Sequence, residues 1–248
     1  MSAPDRLPVG GTFNLRDVGG IPAEGGVVRR GRLLRSDALH RVDDPGREQL
    51  SRLRVTRVVD LRDDDEVSAA PNALTGVAAE VLRRPIFGGW AASAGSAPMA
   101  SFVLADLYAA MVSQRGEALA GAVAAIAEAE DGAVLVHCTA GKDRTGVVVA
   151  LALSAVGVPR DAVLDDYVRT EANLAGEWLS GMLETMRSLP IPDGVDLAAL
   201  LGASPREVLA GTLDSVEQRY GSAADYLRAH GLSDEQLARL RARLVELD

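Results

Sequence analysis

The sequence predicts an α/β fold, with a central, mainly parallel sheet flanked by helices and a helical insertion in the C-terminal half. Three observations carry that reading. Short runs rich in β-branched residues, at 55–61 and 133–136, alternate with longer helical patterns. The second run leads straight into the turn 137–146, and then into 147–153, an apolar stretch without Gly or Pro that reads as a buried helix. Beyond Gly157 and Pro159 the pattern is almost all helical. A chain of 248 residues can bury a substantial core. We read it as one domain over 1–248, with the helical insertion at about 170–212.

The elements follow in order. Residues 25–36 alternate loosely around Gly31, with Val27-Val28 and Leu33-Leu34 on either side, and suggest a hairpin. Asp44-Pro45 starts a helix, with Asp44 as N-cap and Pro45 in the first helical position. The run 55–61 is a strand, and 79–86 is a second strand candidate, ended by Pro85. Residues 88–98 are small and read as a loop. Two helices are expected at about 99–113 and 117–129, followed by the strand at 133–136. In the C-terminal half, Pro190, Pro192 and Gly194 interrupt the helical pattern, and Gly202 and Pro205 interrupt it again.

Composition narrows the function classes. A net charge of −9 argues against non-specific nucleic-acid binding, which needs clustered Lys and Arg. It also argues against attraction of the whole surface to anionic membranes. Residues 1–6 have no apolar signal core, and no stretch approaches about 18 uninterrupted apolar residues. The expectation is a cytoplasmic protein without an integral membrane segment, although export without a cleaved signal would leave no trace to read. One cysteine excludes an internal disulfide framework. With only His40, His137 and His230 beside it, the ligand spacing of a structural zinc site is missing. No metal or cofactor is expected, and nothing in the sequence fixes an oligomeric state.

The cysteine lies in His137-Cys138-Thr139-Ala140-Gly141-Lys142-Asp143-Arg144-Thr145-Gly146, where strand turns into helix. Amides at such a junction can curl around an anion, and the helix dipole favours negative charge there. The same field favours the thiolate form of Cys138. A lone cysteine is more often a buried small hydrophobe. Here Lys142 and Arg144 supply the electropositive setting that reactivity needs, so Cys138 reads as a nucleophile. Arg144 offers a planar fork to phosphate oxygens. Thr139, Ala140, Gly141, Lys142, Asp143, Arg144 and Thr145 form the candidate phosphate cradle.

The spacing Cys-x5-Arg-Thr, preceded by His, resembles the phosphate loop of the cysteine-dependent protein-tyrosine phosphatase superfamily. Asn14-Leu15-Arg16-Asp17-Val18-Gly19-Gly20, Arg35-Ser36-Asp37-Ala38-Leu39 and Asp60-Leu61-Arg62 followed by Glu66 resemble, in that order, the accessory motifs of one bacterial branch. That branch holds tyrosine/dual-specificity phosphatases, some of which also act on phosphoinositides. The stretch from Tyr220-Gly221-Ser222 through Tyr226-Leu227 to Arg241 is similar to it too. The match therefore touches most of the chain, and the loop is its most specific part. The resemblance implies that Cys138 takes the phosphoryl group as a phosphocysteine, that Arg144 clamps the equatorial oxygens and that Thr145 hydrogen-bonds the sulfur. It also implies that helices of the insertion cover the site, and that the substrate is a phosphorylated protein or a phosphoinositide.

The leaving-group acid has three candidates. Asp143 lies inside the loop, where myotubularin-type lipid phosphatases also carry Asp. Asp60 ends a core strand, on the side where ligands bind in open α/β sheets, and is equally readable as a structural acceptor. Asp106 lies at the distance many superfamily members use, but its stretch reads as amphipathic helix, so a solvated surface group is the simpler reading. Lys142 reads as a second cation beside Arg144 or as a solvent-facing lysine. Arg62 and Glu66, four apart, read as an ion pair. Arg16 and Asp17 border the pocket or pin the N-terminal loop, Arg35 and Asp37 lean structural, and His137 orients the loop. Trp178, Leu179, Met182, Leu183 and Met186 form a stripe of core or lid underside.

Rival classes fail on particulars. Gly141-Lys142 is followed by Asp143, and Val136 stands at the first glycine position, which rules out a P-loop nucleotide hydrolase. No Gly-x-Ser-x-Gly occurs. A rhodanese-like sulfurtransferase and an inactive phosphate-binding module stay open as alternatives. The Arg-Thr ending followed by a helix favours phosphate over the first, and the intact Cys138 and Arg144 speak against the second.

Overall fold

The β-branched runs become strands. In a computed structural model that describes residues 6–88, 104–187 and 196–247, a five-stranded sheet has the order β1 (Arg16–Asp17), β4 (Leu33–Ser36), β7 (Ala133–His137), β5 (Val55–Asp60), β6 (Glu80–Arg83). The pairings β4–β7, β7–β5 and β5–β6 are parallel, and β1 joins the edge antiparallel. The mainly parallel α/β sheet is therefore as expected. β7 is central and buried throughout, which is why its sequence is apolar without alternation.

Side chains of a strand point alternately to opposite faces, and the two faces here carry separate cores. Val134, Val136, Leu33 and Val59 pack with the larger helical layer. Ala133, Leu135, Leu34 and Val58 pack with Leu50 of α1 (Asp44–Arg52) and with Leu15 and Leu39. The other α-helices among the described residues are α2 (Asp64–Ala69), α3 (Leu104–Gln114), α4 (Gly116–Ala127), α5 (Asp143–Ala155), α6 (Arg160–Leu174), α7 (Glu177–Met186), α8 (Leu197–Gly202), α9 (Arg206–Tyr220), α10 (Ala223–Ala229) and α11 (Asp234–Leu244).

The hairpin expected at 25–36 does not form. β3 (Gly26–Val28) pairs with β2 (Pro22–Ala23) and with β8 (Val245–Leu247) in a separate three-stranded sheet, while β4 enters the central sheet. Gly31, at φ +68, turns the chain between the two, and Asp17 accepts from the amides of Gly19 and Gly31 at 2.8 Å each. Local alternation reports strands, and the choice of partner is made by the rest of the chain. The cap of α1 shifts by one: Asp43 is the N-cap, accepting from Gly46 N at 2.7 Å, and Asp44 is the first helical residue. Of the loop expected at 88–98 only Gly88 is described. The start of the helix expected at 99–113 and the break at Pro190, Pro192 and Gly194 also lie outside the described residues. The break at Gly202 and Pro205 separates α8 from α9.

Candidate active site

The loop between β7 and α5 lies at the carboxyl ends of the parallel strands, with Ser36 of β4 and Asp60 of β5 both in register with His137. Cys138 follows at once and is 2% exposed. The loop's carbonyls are drawn outward. Thr139 O accepts from Ala38 N at 3.0 Å and Ala140 O from Asn14 Nδ2 at 3.0 Å. Gly141 O accepts from Asn14 Nδ2 at 3.2 Å and from Arg35 at 2.8 Å. A trans peptide sets its N–H opposite its C=O, so the amides of Ala140, Gly141 and Lys142 turn the other way, into the loop. Among the described residues none of these amides has an acceptor. Gly141 sits at φ +65, and a Cβ there would lie 2.2 Å from Ser36 O, so the position demands glycine.

A buried charge cluster stands behind the loop. Arg35 donates to Asp166 Oδ2 at 2.5 Å as well as to Gly141 O. Arg16 donates to Asp166 Oδ1 and to Asp166 O, both at 2.8 Å, and to Thr170 at 3.0 Å. All three charged groups are at most 1% exposed. Burial alone would raise Asp166, but Arg16 and Arg35 hold it well below the usual carboxylate range. Burial and the neighbouring Arg35 bring Arg16 down to about 10. Arg16 and Arg35 thus serve the loop from behind. Asp17 pins the N-terminal loop, and Asp37 accepts from the amides of Phe13 and Asn14 at 2.9 and 2.8 Å.

Arg144, in the first turn of α5, meets Glu66 of α2 with both terminal nitrogens, at 2.5 and 2.7 Å, and lies over the Phe87 ring at 4.9 Å. Glu66 also accepts from Thr139 Oγ1. Burial pushes Glu66 up, yet the Arg144 hydrogen bonds and charge, with help from Thr139, bring it down to about 2. The pair expected between Arg62 and Glu66 is therefore replaced. Arg62 turns back onto Asp60, at 3.0 and 2.8 Å.

The three aspartates separate clearly. Asp60 is wholly buried, with Arg62 on both oxygens and Asn72 on one, and the hydrogen bonds and charge of Arg62 outweigh burial to hold it at about 2. Asp106 is exposed on the first turn of α3. Asp143 opens α5 beside Arg144, with its side chain 23% exposed and Tyr108 donating to Oδ1 at 3.0 Å. His137 is fully buried. Burial, working against Asp60, holds it down to about 4, so the ring is neutral and Nδ1 donates to Cys138 O at 3.1 Å.

Two placements differ from expectation. Lys142 is neither solvent-facing nor free at the mouth: it is 1% exposed and donates to Leu200 O of α8 at 2.6 Å. Thr145 Oγ1 is buried and has no hydrogen-bond partner among the described residues, so the bond to sulfur is not made. Of the apolar stripe, Trp178 and Met182 line a cavity of about 230 Å3 beside Thr139, together with Phe13 and Arg41. Leu179 packs on Gly202.

Sequence reading missed Asp166, Tyr108 and the true partner of Glu66. Asp166 did leave a signal, an acid on the helical face formed by Val163, Tyr167, Thr170 and Leu174. Tyr108 left none.

Two tests follow. Asp166→Asn leaves two buried guanidiniums facing a neutral amide, and should cost about 3–5 kcal/mol in chemical denaturation. Glu66 has its folded value depressed from 4.5 to about 2, so its contribution is present above pH 4.5 and is lost as pH falls through about 2. Melting curves over that window should fall less steeply for Glu66→Gln than for the wild type.

A model of the tyrosine phosphatase family matches residues 7–246. The triple specificity protein phosphatase PtpB of Mycobacterium tuberculosis is 32% identical over 280 aligned positions, covering 95% of this chain and 97% of that protein. A tyrosine-protein phosphatase of Nostoc commune is 29% identical over 229 positions, covering 85% of this chain and 73% of that protein. The chain, with a cysteine-and-arginine loop at the carboxyl edge of its sheet, belongs to the tyrosine phosphatase family and is a phosphatase.

Proposed function

We propose that the chain hydrolyses phosphotyrosine in proteins through a phosphocysteine at Cys138. The observation that carries this reading is the outward tethering of the loop carbonyls, which leaves three amides turned in beside a buried thiol and a pre-aimed Arg144. Cys138 Sγ attacks phosphorus, and the bond to the tyrosyl oxygen breaks as Asp143 gives that oxygen a proton. Water then attacks phosphorus, Asp143 takes the proton back, and the S–P bond breaks to release phosphate. The amides and Arg144 meet the charge spread over the equatorial oxygens. Asp143 is favoured as the acid because Asp60 has both oxygens committed to Arg62 and Asp106 stands out in solvent.

The substrate range extends to phosphoserine, phosphothreonine and phosphoinositides. The similarity to the triple specificity phosphatase of Mycobacterium tuberculosis supports a range wider than tyrosine. The lipid part rests on Lys142, whose ammonium is one residue from Asp143 and is held by Leu200 O. In this reading residues 170–212 act as a lid on a single domain, and displacement of α8 frees Lys142 for a second phosphate.

Cys138→Ser should retain phosphate binding and lose turnover, and Arg144→Lys should also fail because an ammonium lacks the planar fork. Assays with p-nitrophenyl phosphate check both, and more than a few per cent residual activity in Cys138→Ser would sink the covalent route. Lys142→Ala should lower phosphoinositide turnover about tenfold more than peptide turnover, the worth of one charge-assisted contact. Equal loss on both substrates would remove Lys142 from substrate selection.

A further inference from the structure

Tyr108 of α3 is completely buried where α3, the start of α5 and α6 meet. Its hydroxyl lies 3.0 Å from Asp143 Oδ1 and 2.7 Å from the hydroxyl of Tyr167, which is 1% exposed. The rings cross edge to face at 77° with centroids 6.2 Å apart. Gly146 makes room for this arrangement: a Cβ there would come within 3.0 Å of the Tyr167 ring. Each phenol has one proton to give, and a carboxylate oxygen can only accept. The proton of Tyr108 therefore goes to Asp143, and that of Tyr167 goes to Tyr108. Burial, reinforced by the Asp143 charge, holds both phenols above the usual range, so neither gives up its donor role.

We propose that Tyr108, oriented by Tyr167, is a positioning residue that keeps Oδ1 of Asp143 an acceptor and so confines the transferable proton to Oδ2. This rests on the reading of Asp143 as the leaving-group acid. A neutral carboxyl has one hydroxyl oxygen and one carbonyl oxygen, and a donor fixed at Oδ1 decides which is which. The same bond fixes the side-chain rotamer at the first turn of α5. Once the proton has gone to the leaving group, the charge left on Asp143 is met by Tyr108 and by Lys142 Nζ, 3.6 Å from Oδ1. Tyr108 touches neither substrate nor sulfur in this scheme. It acts only through Asp143.

The test is the dependence of kcat on leaving-group pKa across a series of aryl phosphates, for the wild type, Asp143→Asn, Tyr108→Phe and Tyr167→Phe. Orthovanadate affinity and thermal melting run alongside as measures of loop integrity. Removing a general acid costs on the order of 100-fold or more on poor leaving groups and little on activated ones, so Asp143→Asn should be steep. Tyr108→Phe should be steep in the same sense but smaller, about twofold on the most activated ester and about tenfold on the poorest, with KM and vanadate affinity unchanged. Tyr167→Phe, which leaves Tyr108 in place without its donor, should lie between Tyr108→Phe and the wild type. If Tyr108→Phe and Tyr167→Phe lose equally on every ester, or lose nothing, while Asp143→Asn stays steep, the positioning inference is wrong and Asp143 remains the acid. If Asp143→Asn is itself flat, the acid assignment falls and the inference falls with it.

Discussion

A loop can offer its amides to an anion only if its carbonyls find donors elsewhere, and this molecule is organised around that requirement. Asn14, Arg35 and the Ala38 amide take the carbonyls of Thr139, Ala140 and Gly141. Those three donors come from the N-terminal segment, β4 and the turn just after β4, far from the loop in sequence. They are held in turn by Asp37, which fixes the Asn14 amide, and by Asp166, which fixes Arg35. Buried ion clusters are weak sources of stability, because desolvation offsets most of the attraction. Their use here is geometric. Two guanidiniums against one carboxylate also leave positive charge behind the loop, which adds to the field an incoming phosphate meets.

Glu66 holds the other side. A guanidinium has five donors, and Glu66 engages both terminal nitrogens, which fixes the fork before any substrate arrives. The side-chain entropy of Arg144 is thus surrendered on folding rather than in the transition state. Glu66 reaches both Arg144 and Thr139 and also closes back on the Asp63 amide at 2.9 Å, so the start of α2 is tied to the phosphate loop. Phe87 beneath the guanidinium completes the seat.

What was legible in the sequence was local. The phosphate loop, the central strand before it and the helix after it follow from a few neighbouring residues, and the parallel sheet follows from their alternation with helices. Pairing across distance was not legible. The hairpin expected at 25–36 has two correctly placed strands that join different sheets. The pair expected between Arg62 and Glu66 used helical spacing, but Arg62 precedes Asp63, the N-cap of α2, and so lies outside the helix in which four-residue spacing brings side chains together. Its guanidinium is then free to fold back onto Asp60. Lys142 was misplaced for a related reason. Its surroundings are set by α8, some sixty residues later, which no local pattern around the loop could report.

The position of Lys142 sharpens the meaning of the proposed lid. A buried ammonium needs a partner, and Leu200 supplies a carbonyl near the C-terminal end of α8, where the helix dipole favours a cation. The same ammonium lies 3.6 Å from Asp143, so it also tempers the charge of the proposed acid. Under the proposed reading, a ligand with a second phosphate competes with Leu200 for Lys142, and α8 and that ligand cannot both hold it. A phosphotyrosine peptide makes no such demand and leaves the contact with α8 intact. Lid position and substrate class are then coupled through one side chain. The coupling free energy is limited to the difference between a carbonyl and a phosphate as partners for that ammonium.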